Sequence, residues 1–185
     1  MIYVIEGQDN VGKSSQIKRL TKYLANKHRF PLNIHCSSFG LPKNQSQSYS
    51  EMYYYKLMKE VIRLSEDIYD VILDRSWLGE YVYSPLYRGD SGEYVFEIEK
   101  ILIKPDDAYG FRLITLVDSS MKNLERDDGD SFSIDPEMKK KEMNLFIEAH
   151  ERSTIEDKLL IDIRDWREFA VWDQIETFIS SNVRS

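Results

Sequence analysis

The chain has 185 residues, 25 Lys and Arg against 32 Asp and Glu, and a formal net charge of -7. That length suits a single domain over 1–185, and a hydrophobic share of 42% supports one sizeable core, which excludes disorder for most of the chain. The acidic excess disfavours a nucleic-acid coat, because counterion release needs clustered cationic surface.

Residues 1–6 form a short apolar run that ends at Gly7 and predicts a strand buried on both faces. After a glycine-bearing turn, Ile17, Leu20, Tyr23 and Leu24 recur at helical spacing and predict a helix over about 13–27. Pro31 should end the connection before a second strand at 32–36. Gly40, Pro42, Asn44 and several serines make 37–50 a loop. A helix is expected over 51–64, a third strand over 71–73, and helices over 77–88 and 93–103. A turn at 105–110 leads to a fourth strand at 113–117. Residues 126–135 are charged and carry Gly129; Pro136 then sits at the first helical position behind Asp135 as N-cap. A fifth strand at 159–163 and a closing amphipathic helix at 166–179 complete the pattern. Short apolar strands alternating with helices argue an α/β fold with a mostly parallel sheet.

Gly7-Gln8-Asp9-Asn10-Val11-Gly12-Lys13-Ser14 fits G-x-x-x-x-G-K-[ST], between a predicted strand and a predicted helix. The glycines allow a nest of inward N–H groups, and the helix start adds its positive dipole end. Gly7, Asn10, Val11, Gly12, Lys13, Ser14 and Ser15 are therefore the candidate ATP-binding residues. Lys13 would reach the β/γ-phosphates, and the Ser14 hydroxyl would ligate Mg²⁺.

The segment Glu6 to Gln16 resembles the start of thymidylate kinases, E-G-x-D-x-x-G-K-[ST]-[ST]-Q. Asp74-Arg75-Ser76 resembles that family's D-R-[YFH] motif, and Val117-Asp118-Ser119 its L-D-V segment; Arg126 stands where its mobile lid begins. The stretch 74–88 looks more like phage-encoded deoxynucleotide kinases. The resemblance implies a five-stranded P-loop NTPase fold with a short lid at about 126–140. It implies transfer of the γ-phosphoryl of ATP, with Mg²⁺, to a deoxynucleoside monophosphate, dTMP or a 5-substituted dUMP. It also implies a homodimer.

On this resemblance Lys13, Arg75 and Arg126 are the catalytic cations. Asp9 contacts the deoxyribose, while Phe39 and Lys43 resemble the F-P-x-R segment that holds an acceptor phosphate. Tyr54 or Tyr55 stacks on the base, with Lys59 one turn beyond Tyr55, and Tyr83 is a second wall with Glu80 on its face. Asp74 either orients Mg²⁺ with Ser14 or locks Arg75; the bland alternative for Arg75 is a surface ion pair with Asp74. Asn10 and the segment 127–133 lack the arginines some relatives carry. Lys139, Lys140, Lys141 or Arg152 could replace them, although a lysine run on a helix is usually a solvated face.

Three other readings compete. Deoxynucleoside kinases share much of the pattern but place a carboxylate base after the second strand, where 37–43 has no acid. A P-loop switch ATPase would lack an acceptor pocket. A kinase of nucleic-acid 5′-ends should show a basic groove, and this chain is acidic. The lone Cys36 and the absence of a long apolar run or a basic leader lead to the expectation of a cytoplasmic enzyme (host cytoplasm if viral) with no membrane span and small nucleotides as partners. His28, His35 and His150 have no metal-ligand spacing.

Overall fold

The computed structural model describes residues 1–36, 46–104, 110–122, 133–164 and 168–181. Five strands form one parallel sheet in the order β2-β3-β1-β4-β5: β1 Ile2–Gly7, β2 Phe30–His35, β3 Tyr69–Asp74, β4 Phe111–Val117 and β5 Asp157–Asp162. The helices are α1 Lys13–Asn26, α2 Ser46–Glu66, α3 Leu78–Tyr83, α4 Tyr94–Leu102, α5 Pro136–Arg152 and α6 Glu168–Ser181.

Strand β1 is buried along its whole length, as its unbroken apolar run requires. Ile2 and Val4 face one layer, with Tyr54, Met58, Trp77, Val95 and Leu113. Tyr3 and Ile5 face the other, with Leu20 and Leu24 of α1 and Ile175 and Ile179 of α6. The chain leaves β1 toward the β2 side of the sheet and leaves β4 toward β5. A crevice therefore opens off the carboxyl ends of the central strands, the place where open α/β sheets bind ligands.

Asp135 caps α5 as expected, its carboxylate accepting from the Glu137 N–H at 3.1 Å, with Pro136 behind it. Other boundaries moved for physical reasons. Strand β2 begins at Phe30 and includes Pro31, because an edge strand leaves the missing N–H on its unpaired side. Helix α2 takes in 46–50 from the expected loop and buries Ser50. The expected helix over 77–88 is divided: α3 ends at Tyr83, and Ser84–Arg88 wind as a π-helix. Pro85 has no N–H for the next α-helical bond, and the wider turn closes from Gly89 N–H to Ser84 O at 2.9 Å. No helix among the described residues is long and apolar enough to cross a membrane.

Two buried polar groups tie the layers together. Glu99 of α4 is fully buried and accepts from Trp77 Nε1 at 2.8 Å, Ser153 Oγ at 3.0 Å and the Thr154 N–H at 2.7 Å. His150 of α5 meets Thr115 of β4, Nδ1 to Oγ1 at 3.0 Å. Burial, then the Lys158 charge, lowers the imidazole pKa to about 4. The native state thus resists protonation while the unfolded chain accepts it. Stability from this group is full above the usual histidine pKa of about 6.5 and is lost as pH falls from there toward about 4. Solvent still reaching the ring limits the effect to on the order of 1 kcal/mol. We expect His150→Gln to flatten the fall in denaturation midpoint between pH 7 and 4.5, measured by urea titration against the parent chain.

Candidate active site

Gly7 ends β1 in register with Leu116, at φ 137°. A Cβ there would stand 2.0 Å from the Leu116 carbonyl oxygen, so only glycine lets the loop begin this close to β4. Asn10 at φ 60° and Gly12 at φ 84° then turn the chain through left-handed conformations into α1. Ser14 and Ser15 follow in the first turn, Ser14 exposed. The Lys13 ammonium folds back over the loop, donating to the Gly7 carbonyl at 3.0 Å and to the Gln8 carbonyl. Burial and then the Arg75 charge pull its pKa down, while Asp9, Glu6 and Asp74 oppose that shift.

Arg75 leaves the end of β3 at φ 66°, its N–H donating to Ile5 O at 3.0 Å. A non-glycine residue held there is strained and persists where its surroundings fix it. The guanidinium donates to Asp9 Oδ1 and to the Tyr83 hydroxyl at 3.1 Å, and lies 5.8 Å from the Tyr83 ring centroid. The carboxylate partner of Arg75 is therefore Asp9 and not its neighbour Asp74. Asp74 instead meets His35, Oδ2 to Nδ1 at 2.9 Å. Desolvation raises the Asp9 pKa, but Arg75, Lys13 and Lys139 together more than offset it and hold the carboxyl below its ordinary value.

Lys139 is the residue that sequence reasoning set aside. Lys140 and Lys141 do face solvent, but Lys139 has 1% exposure. Its Nζ lies 3.3 Å from Asp9 Oδ2 and 3.0 Å from Glu142 Oε2. Its carbonyl accepts from Gln8 Nε2 at 3.2 Å, and Gln8 Oε1 accepts from the Asp118 N–H at 2.8 Å. One glutamine side chain so ties the loop to α5 and to the end of β4. The available signal was the spacing Lys139, Glu142, Phe146, Ala149, which is the buried face of α5.

Glu6, at 1% exposure, accepts from Ser76 Oγ at 2.6 Å through Oε1, while Oε2 has no partner. Burial pushes its pKa up. Tyr83 is buried against Phe146 with ring centroids 5.8 Å apart, forming a wall beside Arg75. One turn earlier, Glu80 Oε2 forms an ion pair with Arg88 Nη2 at 2.7 Å and accepts from the Tyr94 hydroxyl at 3.2 Å. Arg88 Nε is buried without a partner.

Of the two tyrosine candidates, Tyr54 is buried in the core edge-on to Tyr53, and burial followed by the Glu80 charge raises its pKa. Tyr55 is placed differently. The next residue on a helix turns well away from its neighbour, and Tyr55 faces a cavity of about 420 Å³ with Met52, Tyr94, Ile98 and Ile101 between α2 and α4. Lys59 does accompany it, 5.7 Å from the ring centroid. Phe39, Lys43 and Arg126 lie outside the described residues, as does the expected lid up to 132; residues 136–140 of that segment belong to α5.

A parallel five-stranded sheet, with a glycine-bounded loop running from its central strand into a helix, defines a P-loop α/β fold. Solved structures share it across nearly the whole chain. YorR from Bacillus subtilis, in complex with phosphorylated GDP, is 19% identical with a TM-score of 0.67, covering 97% of this chain and 96% of its own. Thymidylate kinase from Candida albicans is 19% identical at a TM-score of 0.65, covering 98% and 91%. Deoxyadenosine kinase from M. mycoides with bound dATP is 14% identical at 0.59, covering 97% and 100%. No protein-family model and no curated protein sequence matches the chain.

Because β1 and β4 must part to admit a Cβ at Gly7, Gly7→Ala should cost more than about 2 kcal/mol in urea denaturation. It should also weaken ATP binding, measured by calorimetry at a temperature where the variant remains folded.

Proposed function

We propose that the protein is an ATP-dependent kinase that phosphorylates a deoxynucleoside monophosphate, dTMP or a 5-substituted dUMP. The observation that carries this reading is the meeting of Lys13 and Arg75 at the carboxyl ends of β1 and β3, linked through Asp9. Lys13 and the loop N–H groups hold the donor's phosphates. Arg75, standing against Tyr83, holds the acceptor's phosphate. An acceptor phosphate oxygen attacks the γ-phosphorus, the bond to the bridging oxygen breaks, and ADP leaves. The attacking oxygen is already ionised, so the step needs positioning and cations more than a base.

The carboxylates at the loop support this over a nucleoside acceptor, which would want an available general base. Asp9 is held by Arg75 and Lys139, Asp74 by His35, and Glu6 is buried. The exposed Ser14 hydroxyl and the Asp74 carboxylate are hard oxygen donors of the kind Mg²⁺ takes beside substrate phosphates. When bound, Mg²⁺ would neutralise charge on the phosphates. Among the described residues no group of three His, Cys, Asp or Glu could hold a metal ion. Glu80 beside Arg88 offers an acceptor next to a donor. That pairing complements the N–H and C=O edge of thymine or uracil, and also of guanine.

The test is a panel of dTMP, 5-substituted dUMP, dGMP, dAMP and dCMP with ATP, scored as ADP formed. We expect turnover with the thymine and uracil acceptors and a fall in kcat of about 10²-fold or more in Lys13→Met. Turnover with nucleosides alone would favour a nucleoside kinase, and ATP hydrolysis without any acceptor would favour a switch ATPase. Either result, or full turnover in Lys13→Met, overturns the proposal.

A further inference from the structure

Asp9 is gripped from both sides. Arg75 meets Oδ1 and Lys139 meets Oδ2. The two cations differ in freedom: the Arg75 side chain is 27% exposed and that of Lys139 is 2% exposed. Glu142 holds the far side of the lysine and also accepts from the Tyr87 hydroxyl at 2.5 Å. The lysine backbone is fixed in turn by the Gln8 amide.

We infer that Lys139 is a positioning residue: it stays as the counter-ion of Asp9 while Arg75 exchanges Asp9 for the acceptor's phosphate. The inference rests on the nucleotide-kinase reading above. That exchange takes away the largest single charge that favours the ionised Asp9 carboxylate, just as an incoming phosphate brings a second like charge close to it. Lys139 removes this obstacle, because Asp9 keeps a cation throughout. Lys139 itself is too enclosed to travel with the substrate, so its effect passes through Asp9 and Arg75. Its contact is with Asp9, so its effect falls on the acceptor more than on the ATP held by Lys13.

The experiment is a double-mutant cycle on the full chain, with steady-state kinetics for ATP and for the best acceptor of the panel. Lys139→Met should raise the acceptor KM about tenfold or more and change the ATP KM less than about twofold. In an Asp9→Asn background no carboxylate competes for Arg75, so the same substitution should shift the acceptor KM less than about twofold. An equal rise in both KM values overturns the inference. So does an undiminished effect in the Asp9→Asn background. Thermal midpoints for all four chains show whether each is folded. If Lys139→Met alone does not fold, Lys139→Met/Glu142→Gln replaces it in both backgrounds, since Glu142 is the buried carboxylate that loss of the lysine strands. Additive effects on an active enzyme overturn this inference alone, whereas no turnover by the parent chain with any acceptor overturns the kinase reading and this inference with it.

Discussion

Everything at the site depends on how β1 ends. Its last residue, Gly7, is still paired in register with Leu116 of β4, against a carbonyl that leaves no room for a side chain. The loop therefore starts from inside the sheet, between β3 and β4, and inherits the rigidity of a fully buried strand. From that start the left-handed turns at Asn10 and Gly12 bring Lys13 back over the carbonyls of Gly7 and Gln8. Arg75 reaches the same place because its N–H is bonded to Ile5, one strand across.

The net charge of -7 and a cluster of cations in one crevice are reconciled by distance and burial. Exposed acidic residues are screened within about 10 Å at moderate ionic strength. Lys13, Arg75 and Lys139 lie together in a poorly solvated crevice, where each charge acts strongly on the others. Asp9 is the group that makes this density of cations tolerable, and desolvation is the opposing cost for Asp9, Lys13 and Arg75. The acidic surface and the cationic crevice therefore describe different parts of the molecule.

Periodicity and motif made the sheet, the loop and most helices legible, because a strand buried on both faces and a glycine-bounded turn leave local marks in sequence. What was not legible depended on contacts between distant segments. Arg75 was weighed against its neighbour Asp74, yet its partner is Asp9, on another strand's loop. Lys139 was hidden inside a run of three lysines, of which one turns inward to meet the phosphate loop. Tyr54 and Tyr55 were interchangeable by composition, and only the facing of α2 separated core from outer cavity. The π-helix after Tyr83 had a local cause in Pro85, but the helical pattern on either side concealed it.

The π-helix also bears on the site. In an α-helix Tyr83 and Tyr87, four residues apart, would stack along one face; the wider turn shares out their tasks while their ring centroids stay 6.2 Å apart. Tyr83 meets Arg75 and Tyr87 meets Glu142, the carboxylate that holds Lys139. The same turn carries Arg88 back to Glu80 and leaves its Nε without a partner. One departure from regular helix thus supports both cations that grip Asp9 and shapes the polar edge one turn away. The Arg75–Asp9–Lys139 cluster and the Glu80–Arg88 pair are in this way mechanically joined, through a segment whose geometry is fixed by a proline that cannot donate.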